Sequence, residues 1–446
     1  MSARIGLYNA LKRREGYIFG IGLVIAMGLW PQMADAQEAG KINAGDTAWV
    51  LVSSALVLMM VVPGLALFYG GLVRRKNVLA TLMQSFILLA MISIQWVLFG
   101  YTIAFGPDIA SLFGSLKYLG LAGVGGDPGP YSSTTPHLAF MTFQGMFAAI
   151  TPALITGAFA ERMKFKAFLI FGLLWATFIY DPLAHWVWGG GWIGAMGALD
   201  FAGGTVVHIS SGVSALVCAV MLGKRRGFPS EYMPPHNLPF AVTGAALLWV
   251  GWFGFNAGSA LAADGIAANA FVTTNTAASA AALAWMFCEW KHSGKPTMLG
   301  AATGAVAGLV GITPGAGFVG PMSAIIIGGV AGILCYLAVV MKGRFGYDDS
   351  LDVVGVHGVG GIWGALATGL FASIAVNAGG ANGLFFGNPA QMGPQIIAVI
   401  GTIIYAGVGS WIILKILDMT MGLRVSDEDE QMGLDLSQHN EAGYVM

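Results

Sequence analysis

Two histidines stand out in a chain that offers few other reactive groups. His208 lies in the run GGTVVHISSG and His357 in DVVGVHGVGG, both flanked by Val and Gly. No carboxylate lies at metal-ligand spacing from either, and no HExxH pattern occurs, so neither a metal centre nor an activated nucleophile is indicated. Two imidazoles facing an apolar path can share a hydrogen bond with something small or relay a proton. The simpler alternative is two separate helix–helix hydrogen bonds. Asp200 precedes His208 by eight residues, and Asp349 precedes His357 by the same interval. Each carboxylate suits an N-cap, and each also suits a negative charge that draws a cation inward; Asp352 shares this ambiguity. A third group is aromatic. Trp186-Val187-Trp188 runs into Gly189-Gly190-Gly191, and a tryptophan beside glycines leaves a ring face open to a cation. Phe143-Gln144-Gly145-Met146-Phe147 forms a second such cluster. Cys218, Cys288 and Cys335 sit in apolar runs and read as packing residues.

The elements that must position these residues are membrane helices. Of 446 residues 56% are hydrophobic and only 10% charged, against about 25% in soluble proteins. The 66 glycines suit closely packed transmembrane helices. A net charge of −1 gives no sign of nucleic-acid binding. The composition excludes a disordered chain, a small disulfide scaffold and a typical soluble enzyme. It predicts an all-α polytopic membrane protein. Eleven apolar segments are expected, at 48–71, 78–105, 137–160, 167–186, 203–222, 240–262, 269–290, 298–313, 318–341, 353–374 and 395–417. Segments 167–186 and 298–313 are the weakest, because Gly and Pro interrupt them. If the interval from Asp200 to His208 were all helix it would span about 12 Å.

Basic residues follow every odd-numbered segment: Arg74, Arg75 and Lys76; Arg162, Lys164 and Lys166; Lys224, Arg225 and Arg226; Lys291 and Lys295; Lys342 and Arg344; Lys415 and Arg424. The opposite side carries Lys41 and Lys117. The positive-inside rule then puts the mature N-terminus outside and the C-terminus in the cytoplasm, as a multi-pass protein of the inner (plasma) membrane. Residues 1–36 read as a cleavable signal: a basic start at Lys12, Arg13 and Arg14, an apolar run from Tyr17 to Trp30, and Ala34-Asp35-Ala36. Residues 37–418 would form the eleven-helix membrane domain and 419–446 a cytoplasmic tail. Eleven helices suit two five-helix halves plus one C-terminal helix. The halves begin on opposite sides, so the repeat is inverted. The matched Asp–His intervals support it, as do Phe68-Tyr69-Gly70-Gly71 and Trp252-Phe253-Gly254-Phe255.

Three stretches together resemble the ammonium transporter family, the Amt branch of the Amt/Rh superfamily. They are Asp200 to His208, Trp252 to Ser259, and Gly355 to Gly361; the tail from Gly422 to Asp435 is similar as well. The resemblance implies that Trp188, Phe147 and Ser259 form an external cation site. It implies that Phe147 and Phe255 gate the path below, and that His208, His357 and Trp252 line the pore. Asp200 matches an acidic residue near the external mouth. The resemblance further implies a homotrimer with one pore per subunit, a PII-type regulatory partner at the cytoplasmic tail, and no cofactor.

Physical chemistry favours that reading. An unpaired ammonium in hydrocarbon costs tens of kcal/mol on a Born estimate. If ammonium titrates like a lysine amine, shedding its proton at pH 7 costs about 4–5 kcal/mol. Crossing as ammonia is therefore cheaper, and potassium has no proton to shed. Competing readings are a sensor signalling through a partner, an intramembrane enzyme, and a neutral gas or solute channel. The enzyme lacks a metal-type cluster or a based nucleophile; the channel leaves the Trp188–Phe147–Ser259 site without purpose.

Overall fold

The computed structural model describes residues 41–444. The expected signal segment lies outside them. Eleven helices occupy the eleven predicted segments: α1 Ala44–Leu72, α2 Arg75–Phe105, α3 His137–Phe159, α4 Phe165–Ala195, α5 Gly204–Leu222, α6 Leu238–Ala260, α7 Gly265–Ser293, α8 Met298–Ile312, α9 Pro321–Phe345, α10 Val354–Phe371 and α11 Pro389–Met421. Nine of these, among the described residues, are long and apolar enough to cross a membrane. The two others depart for separate reasons. Helix α7 has 29 residues but is rich in Ala, Asn and Thr. Its Thr273 and Thr274 hydroxyls bond backbone carbonyls of Ala316 and Ala270 at 2.8 and 2.6 Å, so the polar atoms are satisfied inside the helix packing. Helix α8 is apolar but stops after 15 residues, where Thr313-Pro314-Gly315 turns the chain.

Helix starts follow local capping chemistry. Asn43, Asn237, Asp264 and Thr297 each accept backbone N–H bonds at the heads of α1, α6, α7 and α8. Helix α1 is broken at Val62, whose φ of −138° and ψ of 115° are extended, beside Pro63, which has no N–H to give. Helix α4 outruns its expected end at 186, closing its main run at Trp188 and adding one turn, Trp192–Ala195, after the glycines.

Small residues set the packing. A Cβ on Gly244 would lie 2.2 Å from Phe68 N, and one on Gly251 would lie 2.2 Å from Met60 Cγ, so α6 and α1 are in backbone contact. The same applies between α9 and α7, where a Cβ on Gly328 would meet Ala277 O at 2.2 Å. Van der Waals contact at this range drives helix association where lipid supplies no hydrophobic push. Between α2 and α3 the chain folds back in two short antiparallel pairs, β1 Asp108–Ile109 with β2 Phe113–Gly114, and β3 Pro128–Gly129 with β4 Ser132–Pro136.

The last helix runs three residues past the expected boundary at 418, and two short helices follow, α12 Asp427–Met432 and α13 Leu434–His439. The acidic run divides. Asp427 and Glu428 are exposed, whereas Glu430 is buried and takes Arg424 Nη2 at 2.7 Å and the Arg226 amide at 2.7 Å. Lys76 Nζ donates to the carbonyls of Glu430 and Gln431, and Asp435 accepts from the Ala80 amide at the head of α2. The tail is therefore fastened to the chain's own loops. Burial pushes the Asp435 carboxyl above the usual range.

Candidate functional site

Helices α3, α4 and α6 bring the outer aromatics together. Phe147 is the hub. Its ring centroid lies 4.2 Å from Phe255, tilted by 32°, and 6.1 Å from Trp188, nearly perpendicular at 84°. Phe143, one turn back on α3, backs it at 5.0 Å. Phe147 and Phe255 are both almost fully buried, with 1% exposure each. Trp188 is half-buried and its indole N–H is spent on Asp200 O at 2.9 Å, which leaves the ring faces free. Ser259 Oγ donates to Phe255 O at 2.9 Å. Its lone pairs remain for an incoming N–H donor.

Below the phenylalanines the two histidines meet. His208 on α5 and His357 on α10 approach through their Nδ1 atoms at 3.2 Å, with ring centroids 5.3 Å apart and planes inclined by 29°. One Nδ1 must donate and the other accept, so the pair carries opposite tautomers when both rings are neutral. His208 stacks on Trp252 at 5.5 Å and on Phe255 at 6.0 Å, both at 24°. Trp252 in turn is anchored by its N–H to Thr313 Oγ1 at 2.9 Å. His208 Nε2 is buried and has no partner. The histidines, Trp252 and Phe255 line a cavity with Met60, Leu65, Phe68, Ile150, Leu248 and Val306. It holds about 10 Å³, near the threshold for one water-sized molecule. A second cavity of about 50 Å³ shares Phe68, Val306 and His357 and continues to Tyr69 and Asp352.

The sequence folds this way for local reasons. Asp200 Oδ1 accepts the amides of Gly203 and Gly204, and Oδ2 the amide of Thr205, all at 2.7 Å; Oδ2 also takes the Thr205 hydroxyl. Gly203 has φ of +111°, a conformation that other residues rarely adopt, and it turns the chain into α5. His208 then falls in a wide π-type turn, Gly204–Ile209, and His357 in a matching one, Val354–Val359. Such turns often mark functional positions. Asp349 Oδ2 accepts the Val354 amide at 2.7 Å, as Asp200 does for α5, while its Oδ1 is buried without a partner. Burial moves the Asp349 carboxyl up to about 6. Lys342 Nζ bonds Asp349 O at 2.6 Å and Asp352 Oδ1 at 2.5 Å. Helices α5 and α10 cross on glycines: a Cβ on Gly212 would lie 2.2 Å from Gly358 N, and one on Gly361 would lie 2.9 Å from His208 Cβ.

The structure divides the two eight-residue intervals between loop and helix. The intervals from Asp200 to His208 and from Asp349 to His357 are not all helix, because α5 begins at Gly204 and α10 at Val354. The helical rise of about 12 Å over eight residues does not apply. Sequence reasoning missed Thr313, Met60, Phe68 and Val306. Met60, Phe68 and Val306 belong to apolar runs, and only the helix crossings bring them to the cavity; Thr313, just past α8, holds Trp252. Among the described residues no group of three or more His, Cys, Asp or Glu is placed to hold a metal.

Residues 48–444 match the model of the Ammonium Transporter Family. A relative named ammonium transporter from Bacillus subtilis is 55% identical over 404 residues, 90% of this chain and 99% of that one. The chain belongs to the ammonium transporter family. Two solved structures agree with that membership. Candida albicans Mep2 aligns with a TM-score of 0.82 at 36% identity, covering 87% of this chain and 88% of its own. A structure titled "Sensor Amt Protein" aligns at 0.81 with 28% identity, covering 89% and 98%. This member of the family is a helical multi-pass membrane protein.

Proposed function

We propose that the chain carries ammonium across the membrane by recruiting the cation, stripping its proton and conducting ammonia. The single observation that carries this reading is the cavity of about 10 Å³ lined by Phe255, Trp252 and the facing histidines, with Phe147 packed against Phe255. It admits one small molecule, is otherwise apolar, and presents one unpartnered buried nitrogen, His208 Nε2. Ammonia both donates and accepts hydrogen bonds, so it meets that nitrogen in either tautomer. A desolvated potassium ion has no compensation there.

In this reading Trp188 and Phe147 hold ammonium by their ring faces, each contact contributing about 0.5–2 kcal/mol, and Ser259 accepts one of its hydrogens. Phe147 and Phe255 gate the path. Trp252 and the histidines line it, and the histidine pair offers a separate route for the released proton. Asp200 and Asp349 serve first as caps. We also read the eleven helices as eleven crossings in two inverted five-helix halves plus α11, with the mature N-terminus outside and the C-terminus in the cytoplasm of the inner membrane. The basic loops support that orientation. A homotrimer and a PII-type partner at the tail complete the proposal. The resemblance to the sensor structure supports a second reading, ammonium sensing through a partner.

Methylammonium uptake and solute-induced current in proteoliposomes test the proposal with His208→Ala, His357→Ala and the double variant. Reduced or less selective flux is expected. Undiminished, selective flux in all three refutes the paired-histidine pore. Trp188→Leu should raise the KM for external ammonium by about two- to thirtyfold, the loss of one cation–π contact. Saturable binding with no flux in the unmodified protein would favour the sensor.

A further inference from the structure

The end of α4 carries a polar pair that the pore does not use. His185 is fully buried one turn before Trp188, and both its ring nitrogens are engaged. Nδ1 lies 2.9 Å from Ala104 O, and Nε2 lies 2.8 Å from Asp108 Oδ1. A main-chain carbonyl only accepts, and so does an ionised carboxylate. Both ring nitrogens are therefore held by groups of the segment that runs from the end of α2 into the hairpin.

The pair ties a loop to the segment that bears Trp188. Asp108 begins the β1–β2 hairpin between α2 and α3, and its Oδ2 accepts the Ser111 amide. Two more bonds join the same hairpin to α4: Trp186 Nε1 to Leu112 O at 2.8 Å, and the Trp192 amide to Ser111 O at 3.2 Å. His185 O accepts the amides of Gly189 and Gly191, which shape the turn after Trp188. A Cβ on Gly189 would lie 2.1 Å from Ala104 O, so the end of α2, just before the hairpin, and the turn after Trp188 leave no slack. The other charged or titratable groups nearby are already occupied. Asp181, one turn earlier on α4, is bonded to Gln95; the Tyr131 hydroxyl donates to Phe105 O; Asp200 caps α5.

We propose that His185 and Asp108 are positioning residues that act through Trp188, holding its ring against the outer ammonium site by clamping the hairpin onto the end of α4. The inference rests on the outer-site reading of Trp188 given above. Asp108 is solvent-exposed, so Asp108→Asn disturbs no buried packing. Asp108→Asn should raise the KM for external ammonium, with the two- to thirtyfold loss of the Trp188 contact as its limit, and leave kcat per folded protein unchanged. Asp108→Glu should restore the KM.

The deciding measurement repeats Asp108→Asn in a Trp188→Leu background. There the KM should not move further, because the contact through which the clamp acts is already gone. An unchanged KM for Asp108→Asn alone overturns the clamp. So does an equal rise in both backgrounds, or a fall in kcat with no change in KM, which is the mark of general destabilisation. If Trp188→Leu itself leaves the KM unchanged, the outer-site reading fails, and the clamp fails with it for that separate reason.

Discussion

Replacing Asp200 by Asn separates two roles that the same carboxylate invites. In the structure it receives four hydrogen bonds, two on each oxygen, from Gly203, Gly204 and both groups of Thr205. An asparagine oxygen can keep the Oδ1 pair. Its amide nitrogen then faces the Thr205 amide, donor against donor, and two bonds to a charged acceptor are lost. At about 1.5–3 kcal/mol for each bond to a charged group, the substitution costs about 3–6 kcal/mol. That is a large part of the total stability of a typical domain, about 5–15 kcal/mol. The melting temperature in detergent should fall by about 6–24 °C, taking about 2–4 °C per kcal/mol. Asp200→Ala, which orphans three buried amides, should not accumulate as folded protein. The assay is thermal unfolding followed by size-exclusion fluorescence, paired with uptake normalised to folded protein. If Asp200→Asn melts like the parent and only its KM rises, the cap argument fails and attraction of the cation is the carboxylate's main role.

Three further outcomes follow from the same geometry. Gly361→Val should separate α5 from α10, since even its Cβ would lie 2.9 Å from His208 Cβ. Overpacking costs about 1–3 kcal/mol, so folded protein should persist while flux falls, and retention of parental flux would contradict the crossing. Phe255→Ala should open the gate next to the histidines and let potassium compete with ammonium; unchanged exclusion of potassium would show that the stacked pair does not seal the path. Asp349 is the third case. Its carboxyl is raised from the ordinary carboxylate value to about 6, chiefly by burial, so the folded state binds its proton more tightly than the unfolded state does. Stability should therefore fall as pH rises from about 4 to about 6 and level off above that. Melting curves of the parent and Asp349→Asn across this window should diverge, and parallel curves would refute the assignment.

How much of this was legible in the chain depends on what kind of signal a residue leaves. The helices announce themselves by apolar length, and the matched Asp–His intervals pointed to the two histidines that meet beside the cavity. Phe147, Phe255 and Trp188 were named through the family resemblance, and composition alone gave only aromatic clusters near glycine. What stayed hidden is set by crossings. Phe68 and Val306 are unremarkable members of α1 and α8, and nothing in their own segments says that the two cavities meet beside them. The length of α4 was underestimated because Gly189-Gly190-Gly191 reads as a stop, whereas the chain resumes a helical turn at Trp192. How the Asp–His intervals divide between loop and helix was open in the sequence; side-chain capping needs loop, and the loop consumes about half of each interval.

That loop is also what makes the pore chemically workable. A continuous helix from Asp200 to His208 would satisfy its amides internally and leave the carboxylate as a bare charge near the site. Because Asp200 instead spends four bonds on the head of α5, its charge is compensated there, and in the proposed reading Trp188 and Phe147 are left to hold the ammonium. The same arrangement at Asp349 leaves one oxygen, Oδ1, without a partner, beside Lys342 and near Asp352 at the far cavity. The two ends of the path are thus built alike but charged differently. One end has a fully bonded carboxylate beneath an aromatic cage. The other has a carboxyl that burial raises to about 6. On the proposed mechanism this asymmetry suits a conduit whose cargo and proton part company, the outer end selecting the cation and the inner end handling the proton.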